Sequence, residues 1–207
     1  MDDQEVIVSK TNYAELTETA RRVRINALKA IAAAGSGHPG GSLSAADIIT
    51  ALYFNVMNID PRDPEMEDRD KFVLSKGHAV PALYAALGER GYFDVEDMMT
   101  LRKIDSPFQG HPNMRKVPGI EMSTVSLGQG FSAAVGMATA NKIDGKSGRI
   151  YVLTGDGELQ EGIIWEAAMS AAHRKLDNLV AIVDLNGLQI DGRVDDVMRV
   201  RPVEGKF

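Results

Sequence analysis

The chain contains no cysteine among its 207 residues, which excludes disulfides, thiolate metal sites and a cysteine nucleophile. Positive charge is short as well: 23 Lys and Arg stand against 29 Asp and Glu, a net charge of −6. The basic residues are scattered, and the densest group, Arg21, Arg22 and Arg24, falls inside an ordinary helical pattern, so a nucleic-acid partner is disfavoured. No apolar run is long enough to span a bilayer. The opening Met1-Asp2-Asp3-Gln4-Glu5 lacks the basic start and apolar stretch of a signal peptide. Internal repeats and low-complexity linkers are missing too. What remains is 44% apolar and 25% charged, the balance of a soluble globular chain, long enough for one domain with a core that needs no disulfides. We expect a cytoplasmic protein without a membrane partner.

Residues 12–34 place Leu16, Ala20, Val23, Ile25, Leu28 and Ile31 at helical spacing, and the helix stops at Gly35-Ser36-Gly37-His38-Pro39-Gly40-Gly41, where glycine and proline forbid continuation. Ser44 with Asp47 three residues on reads as a capping box that opens a second helix reaching about Asn55. A short strand over 71–74 and a helix over 79–90 flank Lys76-Gly77-His78. The stretch 106–124 has no periodicity and three prolines, so it reads as a long ordered loop, a feature often tied to function. Ser126-Leu127-Gly128-Gln129-Gly130 then opens a helix rich in alanine and suited to close packing.

Residues 150–154 and 179–184 are apolar strands separated by a helix over 162–173. Such a unit argues for an α/β fold with a mainly parallel sheet covered by helices on both faces. The first of these strands runs into Thr154-Gly155-Asp156-Gly157-Glu158, and the second into Asp184-Leu185-Asn186-Gly187-Leu188. Ligands of open parallel sheets bind outside those strand ends. The glycines let backbone approach a ligand, and the helix that follows presents N–H groups to an anion. Asp156, the Asn186 amide oxygen and the Leu188 carbonyl supply hard oxygens for Mg²⁺, which takes six and often shares its shell with phosphates. Gly-Asp-Gly alone is more simply a turn; the strand–loop–helix–strand–Asn arrangement is what points to a metal and a diphosphate.

Gly155-Asp156-Gly157 with Asn186 is similar to the cofactor motif of thiamine-diphosphate enzymes. The transketolase family is resembled specifically by Ser36-Gly37-His38-Pro39-Gly40, Leu74-Ser75-Lys76-Gly77-His78-Ala79, Gly110-His111-Pro112, Ser126-Leu127-Gly128-Gln129-Gly130, Leu159-Gln160-Glu161-Gly162 and Glu166-Ala167. These blocks stand in the family's order over nearly the whole chain. The resemblance implies that Asp156, Asn186 and the Leu188 carbonyl hold Mg²⁺, or Ca²⁺ or Mn²⁺ in its place. It implies that His78, Gly155, Gly157 and Glu158 contact thiamine diphosphate near its diphosphate, with Val125, Ser126 and Leu127 around its rings. His38 and His111 then face the sugar, and Glu161 and Glu166 lie toward a dimer interface, Glu161 among the catalytic set. Imidazoles suit phosphate pairing and proton transfer near neutral pH, whereas His173, at a helix end, needs only the helix dipole to explain it. Trp165 and Phe131 read as core or interface packing.

By the same resemblance, residues 1–207 form the diphosphate- and metal-binding domain, incomplete at its C-terminal end. The family adds further sheet, another histidine, and a second domain whose glutamate activates the cofactor. The expected activity is transfer of a two-carbon ketol unit between sugar phosphates. It needs a C-terminal subunit carrying the pyrimidine-binding domain, in a homodimer or heterotetramer. Val125 stands where the family usually has glycine, and a β-branched residue there reshapes the cofactor wall. Deoxyxylulose-phosphate synthase shares the cofactor motif but lacks Leu-Gln-Glu-Gly after it; dihydroxyacetone synthase differs in its acceptor. A non-catalytic subunit fits poorly with intact Asp156, Asn186 and His78. A Mg²⁺–nucleotide binder would need a Walker loop, which Gly145-Lys146-Ser147 does not make.

Overall fold

The computed structural model describes residues 12–190 and 192–207, so the reading of residues 1–5 lies outside the described residues. Strands β1 (Lys71–Leu74), β2 (Ile150–Gly155) and β3 (Leu179–Asp184) form one parallel sheet in that order. Their side chains alternate between two cores, as strand geometry requires. Phe72, Leu74, Tyr151 and Leu153 join a cluster with residues of α1 (Tyr13–Ala34), α2 (Pro39–Ala51) and α3 (Val80–Arg90). Val73, Ile150 and Val152 join another with residues of α4 (Gln129–Ile143) and α5 (Gly162–His173). Helices thus cover both faces of a parallel sheet, the α/β architecture expected from the apolar strands.

α1 begins at Asn12, whose side chain accepts the Glu15 N–H at 3.2 Å, and ends at Gly35 in the left-handed region. α3 is buried continuously from Val80 to Leu87, so its sequence is apolar on every side rather than along one stripe. α4 buries Gly130, Ala134 and Ala138, and these small residues let it lie close to α5 and the sheet. The stretch 106–124 is ordered loop throughout. Among the described residues no helix is long and apolar enough to cross a membrane.

Three local expectations are corrected. α2 starts at Pro39 with His38 at its cap, because proline fixes the first-turn dihedral and loses no needed donor there. Ser44 therefore lies inside the helix, and its hydroxyl bonds to Asp184 instead of capping. α2 then passes directly into a single π-helical segment, Leu52–Val56. The Gly-Asp-Gly loop leads not straight into a helix but through a 3₁₀ turn, Gly157–Gln160, and Glu161 caps α5, which spans the expected 162–173. Finally, the chain past β3 folds back as β4 (Leu188–Gln189), β5 (Gly192–Arg193) and α6 (Val194–Val197). Val194, Val200 and Val203 are buried in the α4–α5 core, so this polar-looking stretch is anchored.

Candidate active site

The carboxyl ends of the three strands set the site. β1 leads into Ser75, Lys76 and the 3₁₀ turn Gly77–Ala79 that carries His78. β2 leads into Asp156, and register pairs its last residue, Gly155, with Asp184 at the end of β3. Asp156 is buried; its Oδ1 accepts the Gly157 N–H at 2.9 Å and its Oδ2 accepts the Gly187 N–H at 2.7 Å. The second bond ties the two strand-end loops together and sets Asp156 against the turn holding Asn186 and Leu188. Asn186 is exposed; its Nδ2 donates to Ser44 Oγ at 3.2 Å and its Oδ1 accepts the Leu188 N–H at 2.9 Å. A Cβ on Gly157 would come within 2.8 Å of Gln189 Oε1, so a side chain there would displace the Gln189 amide from its place against this loop.

Three histidines from separate segments meet nearby. The His38 ring centroid is 5.3 Å from that of His78 and 6.4 Å from that of His111. Burial, followed by the charges of His38, Lys76 and His111, pushes His78 down to about 4. Burial, then His38 and Arg102, also holds His111 below the usual imidazole range. Both rings are therefore neutral at physiological pH and able to donate and accept. His38 Nδ1 is buried without a hydrogen-bond partner among the described residues. His173 stands in the last turn of α5, outside this group.

The other site residues expected from the sequence divide. Val125 and Ser126 are exposed and Leu127 half-buried, leading to the start of α4. Glu161 and Glu166 are exposed on the α5 segment; no described residue assigns them a partner surface. Glu158 directs its side chain away from the strand-end surface. Its buried carboxylate turns inward, where Oε1 accepts Ser75 Oγ at 2.5 Å and the Gly128 N–H at 2.7 Å, and Oε2 accepts the Gly155 N–H at 3.0 Å. With both oxygens taken by three loops, it braces the site from behind. Burial nonetheless outweighs those bonds and raises its pKa.

Sequence reasoning missed a buried ion pair beneath the site. Lys76, 1% exposed, places Nζ 2.5 Å from Asp184 Oδ2 and donates to the Gly41 carbonyl at 3.2 Å. The same Asp184 oxygen accepts Ser44 Oγ at 2.5 Å. A lysine squeezed between an apolar strand and a Gly-His turn was the available signal. Among the described residues no group of three or more His, Cys, Asp or Glu is placed to hold a metal; the candidate oxygens come from one carboxylate, one amide and one carbonyl.

This fold and these strand-end loops define a thiamine-diphosphate-binding protein: residues 16–202 match the family described as transketolase, thiamine diphosphate binding domain. The chain belongs to the transketolase family. It is 49% identical to the 6-deoxy-6-sulfo-D-fructose transketolase subunit SqwG of a Clostridium species, over 93% of this chain and 70% of that one. It is 45% identical to one subunit of the apulose-4-phosphate transketolase of Actinobacillus succinogenes, over 95% and 71%. Human transketolase shares 49% over 84% of this chain but only 28% of its own length. The crystal structure of transketolase from Campylobacter jejuni superimposes with a TM-score of 0.89 at 37% identity, covering 95% of this chain and 32% of that one. The chain thus spans about a third of that solved structure.

Proposed function

We propose that this chain is the diphosphate- and metal-binding part of a transketolase that moves a two-carbon ketol unit from a ketose phosphate to an aldose phosphate. It acts with a C-terminal subunit carrying the pyrimidine-binding domain. The bond from Gly187 N–H to Asp156 Oδ2 at 2.7 Å carries the reading, because it brings the two halves of the cofactor motif side by side. The residues fit the implied groups. Two backbone N–H groups fix the Asp156 carboxylate and leave lone pairs for a cation. Asn186 Oδ1 and the Leu188 carbonyl stand two residues apart on the adjoining turn. Mg²⁺, or Ca²⁺ or Mn²⁺, would be held by these three together with diphosphate oxygens.

Once bound, thiamine diphosphate supplies a thiazolium carbon that acts as nucleophile and carries the ketol unit. The chain's own residues bind and orient. Neutral His78, on a turn with Gly77 at the end of β1, offers an N–H to an anionic oxygen without bringing a positive charge of its own. His38, whose buried Nδ1 has no partner among the described residues, and His111 are placed to exchange hydrogen bonds with sugar hydroxyls. Val125, exposed by 63%, offers an apolar wall to the cofactor rings. Glu161 and Glu166, exposed, are available to an interface in a homodimer or heterotetramer. Sugar phosphates as substrates and the absence of cysteine suit a cytoplasmic setting.

The test is ketol transfer from xylulose 5-phosphate to ribose 5-phosphate with thiamine diphosphate and Mg²⁺, for the chain alone and mixed with a C-terminal half. Because two relatives are named for 6-deoxy-6-sulfo-D-fructose and apulose 4-phosphate, both sugars belong in the panel. Activity only in the mixture, and lost in Asp156→Ala, supports the proposal. Turnover by the chain alone removes the partner requirement; an active Asp156→Ala mixture removes the metal assignment.

A further inference from the structure

A chain of hydrogen bonds under the site runs in one direction only. Lys76 is buried and its ammonium has protons to give and no lone pair; Asp184, buried at the end of β3, has lone pairs to offer. Ser44 Oγ, 2.5 Å from the same Asp184 oxygen, therefore spends its single hydroxyl proton there. To its other neighbour Ser44 presents a lone pair. That neighbour is the Asn186 amide, with Nδ2 3.2 Å from Ser44 Oγ. Only the NH₂ end of an amide can bond to a lone pair, so Oδ1 is turned the other way, onto the turn where it accepts the Leu188 N–H at 2.9 Å. The Leu188 N–H and Ser44 thus demand the same orientation of the amide; a hydroxyl free to reverse would not oppose a flip, and the Lys76–Asp184 pair removes that freedom.

Resting on the metal-site reading above, we propose that Ser44, held in one sense by Lys76 and Asp184, is a positioning residue that fixes the Asn186 amide with its oxygen toward the cation. A flipped amide would turn an NH₂ group to the cation and oppose it. Ser44 and Asn186 are 142 residues apart, so helix α2 sets the orientation of a group on the far strand end.

The experiment uses the chain reconstituted with its C-terminal half. Mg²⁺ is titrated calorimetrically against the complex in the presence of thiamine diphosphate, with circular dichroism to verify folding. Ser44→Ala is expected to weaken Mg²⁺ binding about tenfold, the low end of what loss of such an outer contact does. Ser44→Thr, which keeps the hydroxyl, restores most of it. In an Asn186→Ala background, Ser44→Ala adds nothing further. Additive losses in the double variant, or an unchanged Ser44→Ala affinity, overturn the inference. Should Ser44→Ala not fold, Ser44→Cys, a weak acceptor of similar size, carries the same expectations. Asp156→Ala separates the two levels: if it leaves Mg²⁺ binding intact, or if the unsubstituted complex binds none, the metal-site reading itself falls. Loss with Asp156→Ala beside an unaffected Ser44→Ala sinks only the role of Ser44.

Discussion

Gly77 lies so close to Thr124 that a Cβ on it would stand 2.2 Å from the Thr124 carbonyl oxygen. Thr124 cannot retreat, because it is buried and its hydroxyl donates to the Leu74 carbonyl at 2.7 Å. The turn that carries His78 and the segment leading to Val125 and Leu127 are thereby held at contact.

Gly77→Ala must push two backbones apart. Overpacking of this kind costs about 1–3 kcal/mol, read as a lowered urea midpoint at unchanged slope. Cofactor affinity falls with it, since both sides of the contact carry proposed cofactor residues. A midpoint and an affinity equal to those of the unsubstituted chain would show that the contact is not tight.

Lys76→Met leaves the Asp184 carboxylate buried without its cation. Removing one partner of a buried pair is expected to cost about 3–5 kcal/mol. Replacing both, as Lys76→Met with Asp184→Leu, should recover part of the loss, because no lone charge is then left inside. Urea denaturation of the two single variants and the double variant checks this; strict additivity would count against direct coupling.

Protonation of His78 sets a pH window. Its folded pKa is depressed to about 4 from 6.5, so between those values the unfolded chain binds a proton that the folded chain refuses. Stability from this group is complete above about 6.5 and is lost as pH falls toward 4. His78→Asn removes this component, so its stability declines less from pH 7.5 to pH 5 than that of the unsubstituted chain. Parallel declines in the two denaturation series would contradict the burial of this ring.

Trp165 is the only tryptophan and reports on the C-terminal segment. The Phe207 ring centroid lies 5.2 Å from its own, and Lys206 Nζ lies 5.6 Å from it. Phe207→Ala admits water to the indole and should shift its emission to the red, while the indole N–H keeps its bond to the Leu159 carbonyl at 2.9 Å. Unchanged emission would mean that the segment does not cover Trp165 in solution.

Much of this was legible in the sequence because it is local. The apolar runs gave β1, β2 and β3 within a residue; β1 and β2 are buried on both faces, and such strands have no polar position to blur them. Gly155-Asp156-Gly157 and Asn186 were found as a pair because strand ends in a parallel sheet fall together. What escaped depends on distant neighbours. Ser44 resembled a helix cap because sequence shows only Asp47 nearby; its actual acceptor, Asp184, lies 140 residues on. Lys76 read as a turn residue and Asp184 as the end of a strand, and nothing local joins them. The Glu158 carboxylate is satisfied by Ser75, Gly128 and Gly155, and nothing in its local context reveals the first two.

The parallel order β1–β2–β3 also dictates when the site can exist. Ser44 and Lys76 leave the ribosome early, but the carboxylate that organises them sits at position 184 and the Asn186 amide just beyond it. Until β3 has been synthesised and has docked beside β2, Lys76 has no counter-ion in the core and Asp156 lacks the Gly187 N–H. The α1–α3 core is completed by Tyr151 and Leu153 of β2, so a nascent chain that stops short of β2 lacks part of that core as well as the Asp184 carboxylate. On the proposed reading of the site, the residues that would hold the cofactor's metal come together only after β3 and its turn have emerged, a delay built into the order of the residues.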